Sequence, residues 1–368
     1  CAGQTFSATI FVKPVATIGS ALTDICSGNS FTLTPQNGIN GTVPVGTVYN
    51  WGLPQGTGFT NGASGNLQTT INGNLINTTT STVTATYSVT PISDNCTGSV
   101  FTLTVQVQPN PALSSLPSGN PICSGELFNY TPTSATPGAG FSWTYIPTTG
   151  LTVGSPITGT GNISQLLTNS TTAPITATYW YTISANGCTS PLTTAVTVQV
   201  KPTPTLSSAL TPPNIYTGTV FNYTAIGNIP STSFSWTRAA LISINNNIPG
   251  TGSSAIIQEV LTNSSKVLVA VPYRVQMTAA GCSNTQTVTV NVVPDLVLSS
   301  TLTPAPVCSG TLFAYTATSE VSGVSFSWKR NPISVINSNT GSNGSNASIS
   351  ETLSSSALVP VPVVYDVT

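Results

Sequence analysis

The residues of this sequence with the clearest capacity for chemistry are its seven cysteines, which recur in set contexts. Three of them each follow a tyrosine by nine positions: Cys96, Cys188 and Cys282. Three others each begin the tripeptide Cys-Ser-Gly: Cys26, Cys123 and Cys308. No two cysteines have the C-x-x-C spacing that is typical of zinc and redox sites. The pattern therefore predicts disulfide bonds, which persist in oxidising compartments outside the cytosol.

Catalysis has few residues to draw on. The chain contains no histidine, so it cannot form a Ser-His-Asp triad, a Cys-His pair or a histidine metal site. Its eight carboxylates are scattered, and none form the Asp-x-Asp cluster that is typical of calcium sites. Spacing alone leaves open a glycosidase pair among Asp24, Asp94 and Glu126. The inventory nevertheless favours a protein that is not an enzyme and that carries no metal or cofactor.

The elements that position these residues repeat along the chain. Phe-Ser-Trp occurs three times and Tyr-Asn-Trp once, and the tryptophans of these tripeptides are Trp51, Trp143, Trp236 and Trp328. Successive tryptophans are 92, 93 and 92 positions apart, so the period is about 93 residues. Residues i and i+2 of a strand share a face, so each aromatic residue and its tryptophan point inward together. We therefore expect the four tryptophans in the cores of β-structures.

Composition favours an all-β protein. The 31 glycines and 28 prolines interrupt the chain every few residues, and no apolar pattern of helical period is sustained. The 39% of hydrophobic residues, many in Val/Ile/Thr/Tyr alternation, predict packed strands rather than disorder. Only 4% of residues are charged and the net charge is −1, so the chain lacks a basic surface for nucleic acid. No apolar run is long enough to insert into a membrane.

The period divides the sequence into five parts. Residues 1–14 are expected to be the end of a preceding repeat, because Thr5–Val12 matches the predicted strand Phe101–Gln108. The parts that follow are named repeat 1 (15–109), repeat 2 (110–202), repeat 3 (203–294) and repeat 4 (295–368, expected to be incomplete). Each complete repeat has room for about seven strands, the size and strand number of an immunoglobulin-like sandwich.

Two carboxylates, Glu259 and Glu351, occupy equivalent places in repeats 3 and 4, where repeat 2 has Gln165. The position accepts a neutral amide as well as a carboxylate, so it indicates no acid–base chemistry. We interpret both glutamates as solvent-facing strand residues.

The cysteines allow more than one pairing. The obvious one lies within a repeat, Cys26 with Cys96, but it leaves Cys282 opposite Tyr216. Geometry also opposes it, because the two turns lie at opposite ends of a sandwich, about 30 Å apart for strands of about nine residues. A disulfide requires Cα atoms within about 7 Å. Pairing of neighbours about 26 positions apart, such as Cys1 with Cys26, would require the chain to double back along a full strand.

In a head-to-tail array, the bottom turn of one sandwich faces the top turn of the next. We therefore expect disulfides between consecutive repeats, and the two pairs are Cys26–Cys188 and Cys123–Cys282. This pairing leaves three cysteines to partners outside the sequence: Cys1, Cys96 and Cys308.

The ordered set Cys-Ser-Gly, Phe-Ser-Trp, Leu-Thr-Asn, tyrosine and Asn-Gly-Cys, followed by a Thr/Val-rich strand that ends in proline, resembles the tandem PKD-like, immunoglobulin-like repeats of giant surface proteins in Bacteroidota. The resemblance covers essentially the whole chain and departs at Tyr216, which replaces the turn cysteine of repeat 3. It implies a tandem array of PKD-like β-sandwiches in a protein exported by the type IX system. It also implies a cell-surface adhesin or filament of the gliding-motility type.

Trp180 differs from the four repeated tryptophans. It occurs once, between Tyr179 and Tyr181, and strand alternation places it on the opposite face from them. We expect Trp180 to be exposed, and it is the one residue that the sequence suggests as a ligand contact.

These observations predict a structural function, the stalk of an extracellular adhesin or filament that is a stiff rod of disulfide-linked repeats. Its partners would be neighbouring repeats of the same chain. Sister filaments and surface glycans are further candidates, because few charged residues protect the edge strands. The alternative is a set of spacer or carbohydrate-binding modules of a secreted polysaccharide-degrading enzyme. Exposed coplanar aromatic residues at a repeated position would favour that alternative, and the sequence shows none.

Overall fold

The computed structural model describes residues 3–368, which divide between Pro202 and Thr203 into two compact units. The first unit contains repeats 1 and 2 and the second contains repeats 3 and 4. Regular structure in the described residues is β-strand, apart from two 3-10 turns at Asn245–Asn247 and Asn337–Asn339. Within residues 3–368, no helix has the length and apolar character needed to cross a membrane. The all-β prediction is confirmed.

Repeat 1 is built from twelve strands, and the two longest have 11 and 8 residues. They are β1 (Thr17–Ile18), β2 (Ala21–Cys26), β3 (Ser30–Leu33), β4 (Gly41–Thr42), β5 (Val48–Trp51), β6 (Phe59–Thr60), β7 (Gly65–Gln68), β8 (Ile71–Asn74), β9 (Ile76–Asn77), β10 (Val83–Ser93), β11 (Cys96–Thr97) and β12 (Phe101–Gln108). The large sheet has the order β2-β12-β10-β5-β7, with β11 paired to the end of β10. Strands β3 and β8 form a second sheet, and β2 runs parallel to β12.

Repeat 2 shares this plan. Its strands are β13 (Ile122–Cys123), β14 (Glu126–Tyr130), β15 (Gly140–Tyr145), β16 (Leu151–Val153), β17 (Thr158–Thr160), β18 (Ile163–Asn169), β19 (Ile175–Ala185), β20 (Cys188–Thr189) and β21 (Thr194–Lys201). The large sheet has the order β13-β21-β19-β15-β17, with β20 paired to β19, and the small sheet is β14-β18-β16.

Repeats 3 and 4 form the second unit. The strands of repeat 3 are β22 (Ile215–Tyr216), β23 (Thr219–Thr224), β24 (Ser233–Arg238), β25 (Gly250–Gly252), β26 (Ile256–Leu261), β27 (Val269–Ala279) and β28 (Cys282–Val293). The strands of repeat 4 are β29 (Thr311–Thr316), β30 (Trp328–Arg330), β31 (Ser342–Gly344), β32 (Ser348–Leu353) and β33 (Tyr365–Val367). Repeat 3 has the large sheet β22-β28-β27-β24-β25 and the small sheet β23-β26, and repeat 4 has the sheets β31-β30-β33 and β29-β32.

Alternation along each strand directs one set of side chains into the core. In β19, Tyr179 and Tyr181 are fully buried, whereas Trp180 between them is 38% exposed. The buried tyrosine contacts a phenylalanine of the small sheet, as in the Phe128–Tyr179 pair, whose ring centroids are 5.7 Å apart. Such ring contacts add to the energy of burying aromatic area. Each sandwich therefore closes around an aromatic contact between its two sheets.

A glycine lies directly across the strand pair from each repeated tryptophan. Trp51 pairs with Gly65, Trp143 with Gly159, Trp236 with Gly252 and Trp328 with Gly344. The indole covers the glycine so closely that a Cβ atom added to Gly65 would lie 2.3 Å from the ring of Trp51. Aromatic side chains that cover an edge glycine are a known device for stabilising sheets. The absent side chain is thus part of the tryptophan's packing site.

Two features of the structure differ from expectation. Residues 5–12 were expected to form a strand, but they form none, and Phe6 and Ile10 are 88% and 86% exposed, since no described strand pairs with this segment. Trp328 packs on the core of repeat 4 but is only partly buried, unlike the other three repeated tryptophans. The sheet that carries Trp328 has three strands rather than five or six, so fewer side chains cover its indole.

We predict that Gly65→Ala destabilises repeat 1 by about 1–3 kcal/mol, because the added methyl group overpacks against Trp51. Hydrogen exchange of peptides from β5 and β10 measures the loss. Gly52→Ala is the matched control in the same repeat, since no atom lies within 4 Å of a Cβ added there. Equal protection in the two variants would show that the edge strand yields without cost.

Candidate functional site: the inter-repeat disulfide and the polar contacts between sheets

The structure joins Cys26 of repeat 1 to Cys188 of repeat 2 by a disulfide. The sulfur atoms are 1.95 Å apart, the Cα atoms are 5.6 Å apart, and the two residues are separated by 162 positions in the sequence. Cys26 ends β2, and Cys188 begins β20 directly after a tight hairpin turn. In that turn Asn186 and Gly187 have φ values of 51° and 77°, the left-handed backbone that two-residue hairpins require. The hairpin thereby presents Cys188 at one end of repeat 2.

Backbone hydrogen bonds hold the turn that carries Cys26. Ser27 N–H donates to the carbonyl of Gln108, at 2.9 Å, and Gly28 N–H donates to the carbonyl of Leu75, at 2.8 Å. The linker is attached to the same turn, because Asn110 Nδ2 donates to the carbonyl of Ser27, at 3.1 Å. The disulfide therefore lies on a turn that is bonded to the end of β12, to the residue between β8 and β9, and to the linker that follows repeat 1.

A buried asparagine recurs beside these turns in repeats 1 to 3, at Asn77, Asn169 and Asn263. Its amide group donates to a carbonyl of the closing strand, as from Asn263 Nδ2 to Val292 O at 2.9 Å. Its backbone N–H donates to the hydroxyl beside the turn, as from Asn169 to Ser124 Oγ at 2.9 Å. The sequence marks this residue within Leu-Thr-Asn in repeats 2 and 3 but gives no sign of its role. It connects the turn to the closing strand.

The other cysteines fall into two groups. Cys96 begins β11 and is partly buried, Cys308 is exposed, and both are free thiols in the structure. Cys123 ends β13 and Cys282 begins β28, in different compact units. The bond Cys123–Cys282 therefore stays a prediction, and Cys1 lies outside the described residues.

A second constellation links the two sheets of repeat 3. Arg238 of β24 donates from Nε to Glu259 Oε2 at 3.0 Å and from Nη2 to Glu259 Oε1 at 2.9 Å. The hydroxyl of Tyr273 donates to Glu259 Oε2 at 2.6 Å. The arginine side chain is 1% exposed and the glutamate 18%. Repeat 4 has the same arrangement, with Arg330 Nη2 2.6 Å from Glu351 Oε1.

The interpretation of Glu259 and Glu351 as solvent-facing residues was wrong. Glu259 shares its strand face with Ile257 and Leu261, both fully buried, so alternation directs its carboxylate toward the other sheet. That alternation is present in the sequence, and an arginine follows two positions after the tryptophan in both of these repeats. Together the two signals could have identified the pair.

Repeats 1 and 2 place other residues at these positions. In repeat 2, Tyr145 stands in the place of the arginine, and the hydroxyl of Tyr179 donates to Gln165 Oε1 at 2.7 Å. In repeat 1, Gly73 stands in the place of the glutamate, and the buried hydroxyl of Tyr87 has no hydrogen-bond partner among the described residues. The tyrosine is thus constant, while its partner is a carboxylate, an amide or nothing.

The surroundings of the two glutamates shift their pKa values downward. Burial pushes the pKa of Glu259 upward, but the hydrogen bonds from Arg238 and Tyr273 and the arginine's charge outweigh burial and hold it below its usual value. Hydrogen bonds from Arg330 lower the pKa of Glu351 against the opposing effect of burial, and the bond from Tyr365 adds to the lowering. Both carboxylates are therefore ionised in the folded protein at neutral pH.

The remaining predicted residues are placed as follows. Trp51, Trp143 and Trp236 are 6%, 5% and 7% exposed, in the cores of their repeats. Trp180 lies on the outer face of the large sheet of repeat 2, where its cross-strand neighbours are Thr144 and Ala195. Among residues 3–368, no group of three or more His, Cys, Asp or Glu side chains could hold a metal ion.

The fold is that of a tandem array of immunoglobulin-like β-sandwiches. A family model for the PKD-like domain matches residues 23–111, 120–204, 214–296 and 305–368. These matches include most of the chain, and the chain belongs to the PKD-like domain family. No curated protein has a sequence that matches this chain.

Several solved structures resemble parts of the chain. An I-band fragment of titin is 12% identical, with 76% of this chain and 96% of the fragment covered and a TM-score of 0.35. A mouse cadherin-23 fragment is 12% identical, with 75% and 95% covered and a TM-score of 0.28. A Drosophila N-cadherin fragment is 9% identical, with 76% and 74% covered and a TM-score of 0.25. Likenesses of this size carry no conclusion about function.

We predict that Glu259→Gln destabilises repeat 3 by about 3–5 kcal/mol, because it leaves the charge of Arg238 buried without a counter-ion. The double variant Arg238→Tyr/Glu259→Gln reproduces the residues of repeat 2 and should recover most of the loss. Hydrogen exchange of β24 and β26 measures the change, and repeat 4 in the same molecule is the internal control. A double variant as unstable as the single one would contradict the equivalence of the repeats.

We predict that acid weakens repeats 3 and 4 more than repeats 1 and 2. Glutamate has a pKa of about 4.3 in an unfolded chain. Since folding lowers the pKa of Glu259 and Glu351, their stabilisation is present above that value and is lost as the pH falls through the folded-state pKa. Hydrogen exchange at pH 7 and pH 3, corrected for intrinsic rates, measures the difference. Uniform loss of protection over the four repeats would refute the prediction.

Proposed function

We propose that this chain is a structural segment of an extracellular protein, in which PKD-like repeats form the stalk of a surface adhesin or filament. The observation that carries the proposal is the Cys26–Cys188 bond, which joins two consecutive repeats. Domains connected only by a short linker are expected to move relative to one another. A covalent bond beside the linker gives the two sandwiches a second attachment and restricts that movement.

The chemistry of the chain supports the same proposal. Disulfides persist outside the cytosol, which favours an exported protein. The chain has no histidine, and the partly buried carboxylates of Glu259 and Glu351 are bound by arginine and tyrosine between the sheets, where they serve packing rather than catalysis. The resemblance of its motifs to giant surface proteins of Bacteroidota favours a cell-surface location and an adhesin of the gliding-motility type.

Repeat equivalence extends the pattern of disulfides. Cys26 lies in the turn of one repeat and Cys188 in the hairpin of the next, so the same rule pairs Cys123 with Cys282. By that rule the partners of Cys96 and Cys308 are cysteines of neighbouring repeats. The partners of this segment are accordingly further repeats of its own kind.

The alternative function, as carbohydrate-binding modules of a secreted enzyme, would depend on exposed aromatic residues. Trp180 is exposed, but the equivalent positions in the other repeats are Ser88, Arg274 and Asp366. A single tryptophan does not provide a repeated stacking surface. Lateral contact with sister filaments or glycans is part of the proposal, because few charged residues protect the edge strands.

Electron microscopy of cells that produce the protein, labelled with an antibody against this segment, tests the proposed function. We expect label along thin fibres that project from the cell. Label on soluble particles beside insoluble polysaccharide, without fibres, would overturn the stalk proposal in favour of the enzyme-module alternative.

Single-molecule pulling tests the mechanical role of the disulfide. The bond shortens the path through the chain by 162 residues, so reduction should increase the fully extended length by at least about 550 Å, at roughly 3.4 Å per residue. In a Cys123→Ser background, further replacement of Cys26 and Cys188 by serine should abolish the increase. A length that does not change on reduction would contradict the inter-repeat bond.

A further inference from the structure

The junction between repeats 3 and 4 differs from the junction between repeats 1 and 2 at the position of the turn cysteine. Cys26 and Cys123 each end a short strand that runs parallel to the closing strand, and Tyr216 ends the equivalent strand β22. In register, Cys26 pairs with Gln108 of β12, and Tyr216 pairs with Val293 of β28. Repeat 3 therefore offers no sulfur at the position from which repeat 1 reaches the following repeat.

The linker departs at the same junction. Between repeats 1 and 2 the chain reads Pro109-Asn110-Pro111, and both prolines are buried. Proline fixes φ near −65°, which limits the conformations that a linker can adopt. Between repeats 3 and 4 the sequence is Pro294-Asp295-Leu296, and Leu296 is 60% exposed. Leucine thus replaces the second proline, so the ring that fixes φ is absent at this position, and the leucine side chain is exposed to solvent.

Few contacts compensate for these two changes. Asn110 and Asp295 stand in equivalent places and both are exposed. Asn110 nevertheless donates a hydrogen bond to the Cys26 turn, whereas Asp295 makes no side-chain hydrogen bond among the described residues. One described ion pair, Lys266–Glu320, joins repeat 3 to repeat 4, and its side chains are 57% and 55% exposed. Exposed ion pairs add little to stability and are screened by salt.

We propose that the junction between repeats 3 and 4 is a flexible joint in an array whose junction between repeats 1 and 2 is covalently stiffened. The residues that define the joint are Tyr216, in the place of a turn cysteine, and Leu296, in the place of a linker proline. Both residues belong to this chain. The stalk would bend at a position encoded in its sequence, and repeat 4 could reorient while repeats 1 and 2 keep their angle.

Distance measurements by pulsed electron–electron double resonance on the whole chain test the joint. Lanthanide spin labels, which tolerate thiol reductants, are carried by unnatural amino acids at exposed positions. One pair, at Ser88 and Thr176, reports on repeats 1 and 2, and the other, at Gln276 and Ser350, reports on repeats 3 and 4. We expect the distance distribution of the second pair to be at least about twice as wide as that of the first.

Two perturbations separate the contributions. Cys26→Tyr gives repeat 1 the residue of repeat 3, and it should widen the first distribution toward the second without changing the second. Reduction of the unmodified chain should do the same if the variant fails to fold. Leu296→Pro should narrow the second distribution.

Three results would overturn the proposal. These are distributions of equal width in the oxidised chain, a second distribution that is narrow from the start, and a first distribution that does not widen when the Cys26–Cys188 bond is lost. The stalk proposal is tested separately by the labelled fibres, so a stiff junction between repeats 3 and 4 would leave it standing.

Discussion

Contact between one phenylalanine and one tyrosine holds the two sheets of every repeat together. Ring centroids are 5.6 Å apart for Phe31–Tyr87, 5.7 Å for Phe128–Tyr179, and 5.3 Å for both Phe221–Tyr273 and Phe313–Tyr365. In repeats 1 to 3 each pair joins the small sheet to the central strand of the large one, and in repeat 4 it joins β29 to the edge strand β33. The tryptophan packs against the same tyrosine in repeats 2 to 4. The turns and hairpins that carry the cysteines extend from these two sheets. The positions of these turns and hairpins therefore depend on an aromatic contact inside each repeat.

The residue that faces the hydroxyl of that tyrosine varies in chemical type, although its place in the sandwich is the same in every repeat. An ionised glutamate with a buried arginine, a glutamine with a second tyrosine, and a glycine all occupy one position across the sandwich. A buried ion pair is weak evidence for stability, because desolvation offsets most of its attraction. The feature that all four repeats share at this position is the tyrosine hydroxyl, which donates to an acceptor in three of them. We interpret the variation as alternative ways to fill one space.

Much of the fold follows from the sequence because periodicity is a long-range signal. Four tryptophans at a fixed interval and strict alternation define the repeats and the all-β class, and strand length places the turn and hairpin cysteines at opposite ends of a sandwich. Features that depend on one neighbour across a strand were missed. To predict the glutamate–arginine pairs, the inward side of the strand would have to be assigned to a charged residue on the basis of alternation. The glycine opposite each tryptophan can be identified only when the strand register is known. The predictions of a strand at residues 5–12 and of a buried Trp328 were wrong, because a strand pattern in the sequence does not show whether neighbouring strands are present to pair with it and cover it.

The Cys26–Cys188 bond has a consequence for resistance to proteolysis. Loops such as that between β5 and β7 in repeat 1 are exposed and would be accessible to proteases. A single cut anywhere between positions 26 and 188 leaves the two pieces joined through sulfur, because the bond closes a ring of chain around the cut. The array would remain one molecule after a nick that would sever an ordinary string of domains. After such a cut, the two ends of the array separate only if the disulfide is also reduced.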